Sequence, residues 1–179
     1  MPQLSPNYDT QRAISDARLP KVYPWLQSLG YSRFEISSQF IDVTGSIDLT
    51  MMCRNVLYHT ASRIQNFTPY IKKRGPTFTI RVARLSGAET EFTKVSRAIK
   101  DDGEYPKRYL HAYFEGNRVL CAGLISTKDL YAYLNTHLAV ISDLQTRRAE
   151  DEAGWADFYY VSFEELQKAG IAFPHLNVL

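Results

Sequence analysis

Residues 107 to 125 read "KRYLHAYFEGNRVLCAGLI", two apolar, aromatic-rich runs that meet at Gly116-Asn117. That pair suits a turn with positive φ, so the stretch predicts an antiparallel hairpin. Directly after it, Ser126 with Asp129 three residues on forms a capping box ahead of "LYAYL". Ser162 with Glu165 forms another ahead of "LQKAGI". A hairpin followed by two marked helix starts points to a mixed α/β chain.

The remaining stretches fit that class. Residues 9 to 18 predict a short helix ended by Pro20, and residues 21 to 29 a second with Gly30 at its end. In "SRFEISSQFIDVTGSIDLTMM", Ile41, Val43, Ile47, Leu49 and Met51 share one parity, while Asp42, Thr44, Ser46, Asp48 and Thr50 share the other. This is a long strand or a hairpin, with Gly45 as bulge or turn. "NVLYHTASRIQ" predicts another strand and "NFTPYIKKRGP" a loop. Phe78, Ile80 and Val82 alternate with Thr79, Arg81 and Ala83, the pattern of a half-buried strand, and a helix is expected over residues 89 to 100. "QTRRAEDEAGWAD" predicts a charged loop before a last strand, "FYYV". No repeat, low-complexity tract or linker divides the chain. The expectation is one domain over residues 1 to 179, a central mixed β-sheet flanked by helices.

A content of 45% hydrophobic and 13% aromatic residues is that of a globular chain. No apolar run approaches the roughly 18 residues of a membrane span. "MPQLSPNYDTQRAISD" lacks the basic and apolar regions of a secretory signal. Cys53 and Cys121 have no CxxC spacing, which argues against a disulfide framework or a zinc site, and their apolar surroundings predict buried thiols. A reduced, cytoplasmic protein without a membrane partner is expected.

The net charge of +2 is unevenly placed. Between residues 54 and 108 stand twelve basic and five acidic residues, a balance of +7 that leaves −5 elsewhere. A basic middle in an acidic frame points to a polyanion such as DNA or RNA; the competing reading is a solvated basic face.

His59, His111, His137 and His175 show no HxxxH or HxH spacing, and His111, among tyrosines, predicts packing. GxSxG, P-loop and GxGxxG motifs are absent, which removes the common hydrolase, NTPase and dinucleotide readings. Asp42 and Asp48 share one side of a strand region beside Gly45, where carboxylates can hold a divalent cation. Alternatively, Asp42 caps the Thr44-Gly45 turn and Asp48 pairs with an arginine of the neighbouring strand.

Taken together, "DVTGSIDL", "TFTIRVAR" and "TEFTKV" resemble the core of the PD-(D/E)xK nuclease-like fold over roughly residues 20 to 135. Within that family the likeness is to small phage-type proteins in which GxxDxT precedes TIR and TExxK. The resemblance implies an N-terminal helix, a β-meander with an acid on its second strand and a D/E-x-K pair on its third, then a helix and a fourth strand. It also implies carboxylates that hold Mg²⁺ or Mn²⁺ and a lysine that serves the attacking water. Carried over, Asp48 is the second-strand acid, and the third-strand pair falls on Thr79-Ile80-Arg81. Threonine then replaces the acid, and an arginine that stays protonated replaces the lysine. Glu89 or Glu91 with Lys94 would have to complete the set. The candidate catalytic residues are therefore Asp48, Arg81, Glu91 and Lys94, and the candidate metal ligands Asp42, Asp48 and Glu91.

Two functions follow. The first is a nucleic-acid-binding protein on a nuclease-like scaffold, with or without weak metal-dependent phosphodiester hydrolysis. Its backbone contacts would come from Arg63, Lys72, Lys73, Arg74, Arg81, Arg84, Lys94, Arg97, Lys107 and Arg108, and its stacking from Tyr70, Tyr105 and Tyr109. The second is a phage or mobile-element effector that binds a host protein through Tyr131, Tyr133, Trp155, Tyr159 and Tyr160.

Overall fold

The computed structural model describes residues 8–38, 47–84, 87, 89–144, 147–151 and 154–178. In chain order it holds α1 (Tyr8–Arg18), a 3₁₀ turn (Leu19–Val22), α2 (Tyr23–Ser28), β1 (Tyr31–Ile36), β2 (Leu49–Cys53), β3 (Val56–Asn66) and α3 (Pro69–Arg74). These are followed by β4 (Thr77–Arg84), α4 (Glu91–Lys100), β5 (Arg108–Glu115), β6 (Arg118–Ser126) and α5 (Thr127–Leu144). The chain continues with β7 (Arg147–Asp151), β8 (Gly154–Ser162), α6 (Phe163–Lys168) and β9 (His175–Asn177).

The architecture is mixed α/β. A main sheet of order β1-β2-β3-β5-β6-β9 faces a smaller one of order β4-β8-β7. Neighbours in the main sheet run antiparallel except β3 and β5, which are parallel. A parallel pair needs a long crossover. Residues 67–107 provide it, carrying α3, β4 and α4.

Strand alternation gives the main sheet two apolar faces. On one, Leu49, Met51, Leu110, Ala112, Phe114, Ala122 and Leu124 meet Leu19, Val22 and Leu26 from the N-terminal helices. On the other, Ala61, Tyr109 and Ile125 meet Phe78 and Ile80 of β4, Val161 of β8, and Val95, Leu130, Leu134 and Leu166 of three helices. The second core is shaped around Gly123. A Cβ there would lie 2.5 Å from the Phe163 ring and 3.0 Å from that of Phe78, so only glycine lets those rings rest on the sheet.

Both serines cap as their spacing predicts, Ser162 through a full capping box and Ser126 through its forward bond alone. Ser162 accepts from the Glu165 amide at 3.1 Å while its own amide donates to Glu165 Oε2 at 2.8 Å. Ser126 accepts from the Asp129 amide at 3.4 Å. Gly116 has the positive φ expected of it, at 59°.

Of the two readings of "SRFEISSQFIDVTGSIDLTMM", the antiparallel pair is the one formed, by β1 and β2, and Asp42 and Gly45 lie outside the described residues. Elsewhere the structure departs from the sequence reading. Strands β2 and β3 turn at Arg54-Asn55, with φ of 49° and 63°. Two positive φ values match the twist of a tight hairpin, and asparagine accepts them readily. "NFTPYIKKRGP" is a helix at its centre, because Thr68 caps Ile71 at 3.4 Å and Pro69 starts the first turn. "QTRRAEDEAGWAD" holds β7 and the start of β8, joined by a backbone ladder from Arg147↔Phe158 to Asp151↔Gly154. "TFTIRVAR" is a strand, but it belongs to the smaller sheet and pairs with β8.

Candidate functional site

Alternation turns Ala61 and Arg63 of β3 toward the smaller sheet, and the parallel ladder sets Arg63 beside His111. Arg63 Nη2 lies 3.4 Å from Glu91 Oε2, with side chains only 20% and 16% exposed. Glu91 opens α4, where the helix N-terminus favours a carboxylate, and Thr90 caps that turn by accepting from Thr93 N at 3.4 Å. Tyr109, on the strand beside β3, donates its hydroxyl to Thr79 O at 2.9 Å.

Burial opposes the charge on Arg63, yet Tyr109, Glu91 and Asp48 more than offset it and hold the guanidinium above the ordinary arginine range. Burial, and then the Glu91 charge, raise Tyr109 well above a normal phenol. The same two causes raise Tyr131, whose buried hydroxyl has no hydrogen-bond partner among the described residues.

Asp48 stands just before β2, where the ladder to β3 ends at Leu49↔Thr60. Its amide donates to Thr60 O at 3.0 Å, and its carboxylate accepts the Ser62 amide, which prolongs the ladder through a side chain. Arg81 of β4 faces Phe158 of β8 in register. Arg63 and Arg81 each bring a guanidinium carbon to 5.4 Å from the centre of the Phe158 ring, so two cations share one aromatic ring. Lys94 lies one turn beyond Glu91 on α4 and is partly buried. Arg63, expected as a surface contact, is therefore the residue that links Asp48, Glu91 and the Arg81–Phe158 stack.

A hard divalent ion needs several oxygen donors. Among the described residues no three His, Cys, Asp or Glu side chains gather as a metal-binding group. The Asp48 carboxylate is taken by a backbone amide and the Glu91 carboxylate by a guanidinium. As they stand, these donors do not fit Mg²⁺ or Mn²⁺. Asp42, the other expected ligand, is outside the described residues.

The basic middle of the chain divides in space. Lys72, Lys73 and Arg74 are exposed in the last turn of α3, which follows the end of β3. Lys107 and Arg108 stand at the start of β5, which is parallel to β3 and therefore at the opposite end of the sheet. The ladder from Thr60 to Asn66 separates the two groups by about 20 Å. Lys107 Nζ sits 3.6 Å over the Tyr105 ring. Arg108 Nε donates to Tyr31 Oη at 3.2 Å, and its guanidinium lies 5.0 Å from the Tyr58 ring. Arg97 is paired with Glu89 at 2.7 Å, and Arg84 ends β4 opposite Ala156. A single continuous basic face does not form from these residues.

The tyrosines expected to anchor a protein partner are mostly structural. Tyr131 is 1% exposed, Tyr133 and Tyr159 pack against the same core, and Tyr109 is buried rather than free to stack on a base. Tyr70 and Trp155 side chains are outside the description. His111 is fully buried and stacked on Tyr113 at 4.5 Å, as its setting predicted. Burial, then Arg63, lower its pKa well below the usual imidazole value. Cys121 is buried and pushed up to about 12 by that burial, whereas Cys53 is partly exposed, not buried as expected. Among the described residues no helix is long and apolar enough to cross a membrane.

The part played by Tyr109, Tyr131 and Phe158 around Arg63 was not foreseen. The available signal was an arginine on the same parity as Ala61 within "HTASRIQ". Compared with protein-family models, curated proteins and solved structures, the chain matches none.

Proposed function

We propose that the chain is a nucleic-acid-binding protein on a nuclease-like scaffold, with an Arg63–Glu91 ion pair standing where such a scaffold would hold its metal. The observation that carries this reading is the element order. Helix α2 precedes the antiparallel meander β1–β2–β3, then α4 leads to β5, parallel beside β3, with Asp48 at the start of the second strand. In this register the third-strand motif falls on Ala61-Ser62-Arg63, not on Thr79-Ile80-Arg81.

Alanine and arginine at those positions supply neither a ligand nor a proton carrier. Glu91, which could add a second carboxylate, neutralises Arg63 instead. Binding without efficient cleavage is the outcome. The test is to incubate the purified protein with plasmid, linear and single-stranded substrates in Mn²⁺, and to assay the same substrates for complex formation at low salt. Complexes with intact substrate are expected. Robust cleavage that survives Asp48→Ala, or no complex with any substrate, overturns the reading.

A further inference from the structure

At the end of the main sheet that carries Lys107 and Arg108, the strands stop at different heights. The β2–β3 hairpin projects past β5, because Arg108 faces Thr60 and not Val56. Four residues at roughly 3.3 Å each make a step about 13 Å tall, the rise of about four stacked nucleotides. The tip carries exposed Arg54 and Asn55, with Val56 52% and Leu57 51% exposed. The inner corner is Tyr31, Tyr58 and Arg108, with the two rings edge-to-face at 5.8 Å. Around the end of β5, on the opposite face of the sheet, Lys107 lies over Tyr105, beside the start of α5, whose Thr127 amide donates to Lys107 O at 3.2 Å.

Several of the protein's other cations are held by carboxylates. Arg12, Arg63, Arg97, Arg118 and Lys168 each have a carboxylate partner. Among the described residues Arg54, Lys107 and Arg108 have none, and two of these three are held on aromatic rings. Asp101, Asp102 and Glu104 are exposed just before Lys107, yet none reaches these cations. Cations fixed beside rings, with exposed apolar side chains at the rim, suit a ligand that alternates phosphate and an open π face. A duplex buries its base faces, so it could use only the phosphate half of this surface.

We infer that this step is the binding surface for single-stranded nucleic acid. Lys107, Arg108 and Arg54 meet phosphates, and Tyr58, edge-on to Tyr31, offers stacking. The inference rests on the nucleic-acid reading above and adds to it where the strand lies and which form it takes. It selects this end of the sheet over the Lys72–Arg74 end, where the ring beneath a cation, Phe114 under Arg18, is 1% exposed and closed to a base.

The test compares three proteins by fluorescence anisotropy: wild type, Arg54→Glu/Lys107→Glu, and Lys72→Glu/Lys73→Glu. All four positions are exposed, so folding should survive; circular dichroism of each variant checks it, and only folded variants are read. The probes are short labelled single-stranded DNA, its RNA counterpart, and the matched duplex, each titrated with salt. The first double variant should weaken single-strand binding at least tenfold and lower the salt slope by about 1.4, two contacts at roughly 0.7 each. The α3 variant should stay within about twofold of wild type, and wild type should prefer the single strand to the duplex. If the loss follows the α3 variant, or the duplex binds as well, this inference falls while the nucleic-acid reading stands. If wild type binds no probe, both fall.

Discussion

Arg63 Nη2 lies 3.4 Å from Glu91 Oε2 and joins the middle of the main sheet to the first turn of α4. Both side chains are largely enclosed, so each charge depends on the other. Glu91→Gln or Arg63→Met alone should cost about 2–4 kcal/mol, toward the lower side of a buried pair because some solvent contact remains. The double variant Arg63→Met/Glu91→Gln should cost less than the two singles together. Urea unfolding of the three variants reads this; additive losses would mean the pair is not coupled.

His111 should make the fold sensitive to acid. Its folded pKa is lowered, so the native imidazole stays neutral while the unfolded chain takes up a proton below about pH 6.5. The unfolded state then binds more protons, so stability is full above that pH and falls as pH drops below it. The slope contributed is about 1.4 kcal/mol per pH unit once the unfolded residue is protonated. His111→Phe, in a nest with Phe78 and Tyr113, should remove that part of the slope. An unchanged acid profile between pH 6.5 and 5 would show that this residue does not titrate on unfolding.

Gly123→Ala should destabilise by about 1–3 kcal/mol through overpacking against Phe163. Phe163→Leu in the same chain should recover part of that loss, because the shorter side chain withdraws from the sheet. Thermal midpoints of the singles and the double variant decide it; a neutral Gly123→Ala would contradict the packing described.

Ser162→Ala should cost about 1 kcal/mol, since both arms of its capping box are formed. Ser126→Ala should cost less, because its one cap bond is long at 3.4 Å. Equal losses in denaturant unfolding would mean that bond length does not rank these two caps.

Local chemistry made much of this fold legible. The Gly116-Asn117 hairpin, the two serine caps and the packed His111 each follow from residues within a few positions of one another. What stayed hidden depends on partners far along the chain. "FTIRVAR" reads as a strand, but nothing in its alternation says that it pairs with β8 instead of β3. That partner choice moved the third strand of the meander back to Val56–Asn66, and it exchanged Arg81 for Arg63 at the centre of the candidate site. The charged stretch around β7 was hidden for a related reason, because a backbone ladder makes it a strand without any apolar pattern. The basic middle was visible as a count, but not its division between opposite ends of a sheet.

On the proposed reading, this chain holds nucleic acid by its phosphates. The most direct measurement is equilibrium binding of a labelled single-stranded oligonucleotide across a salt series without divalent metal. Complex formation is expected at low salt, with log affinity falling linearly against log salt by roughly 0.7 for each phosphate contacted and at least two contacts. No binding at low salt, or binding that salt leaves unchanged, would contradict it.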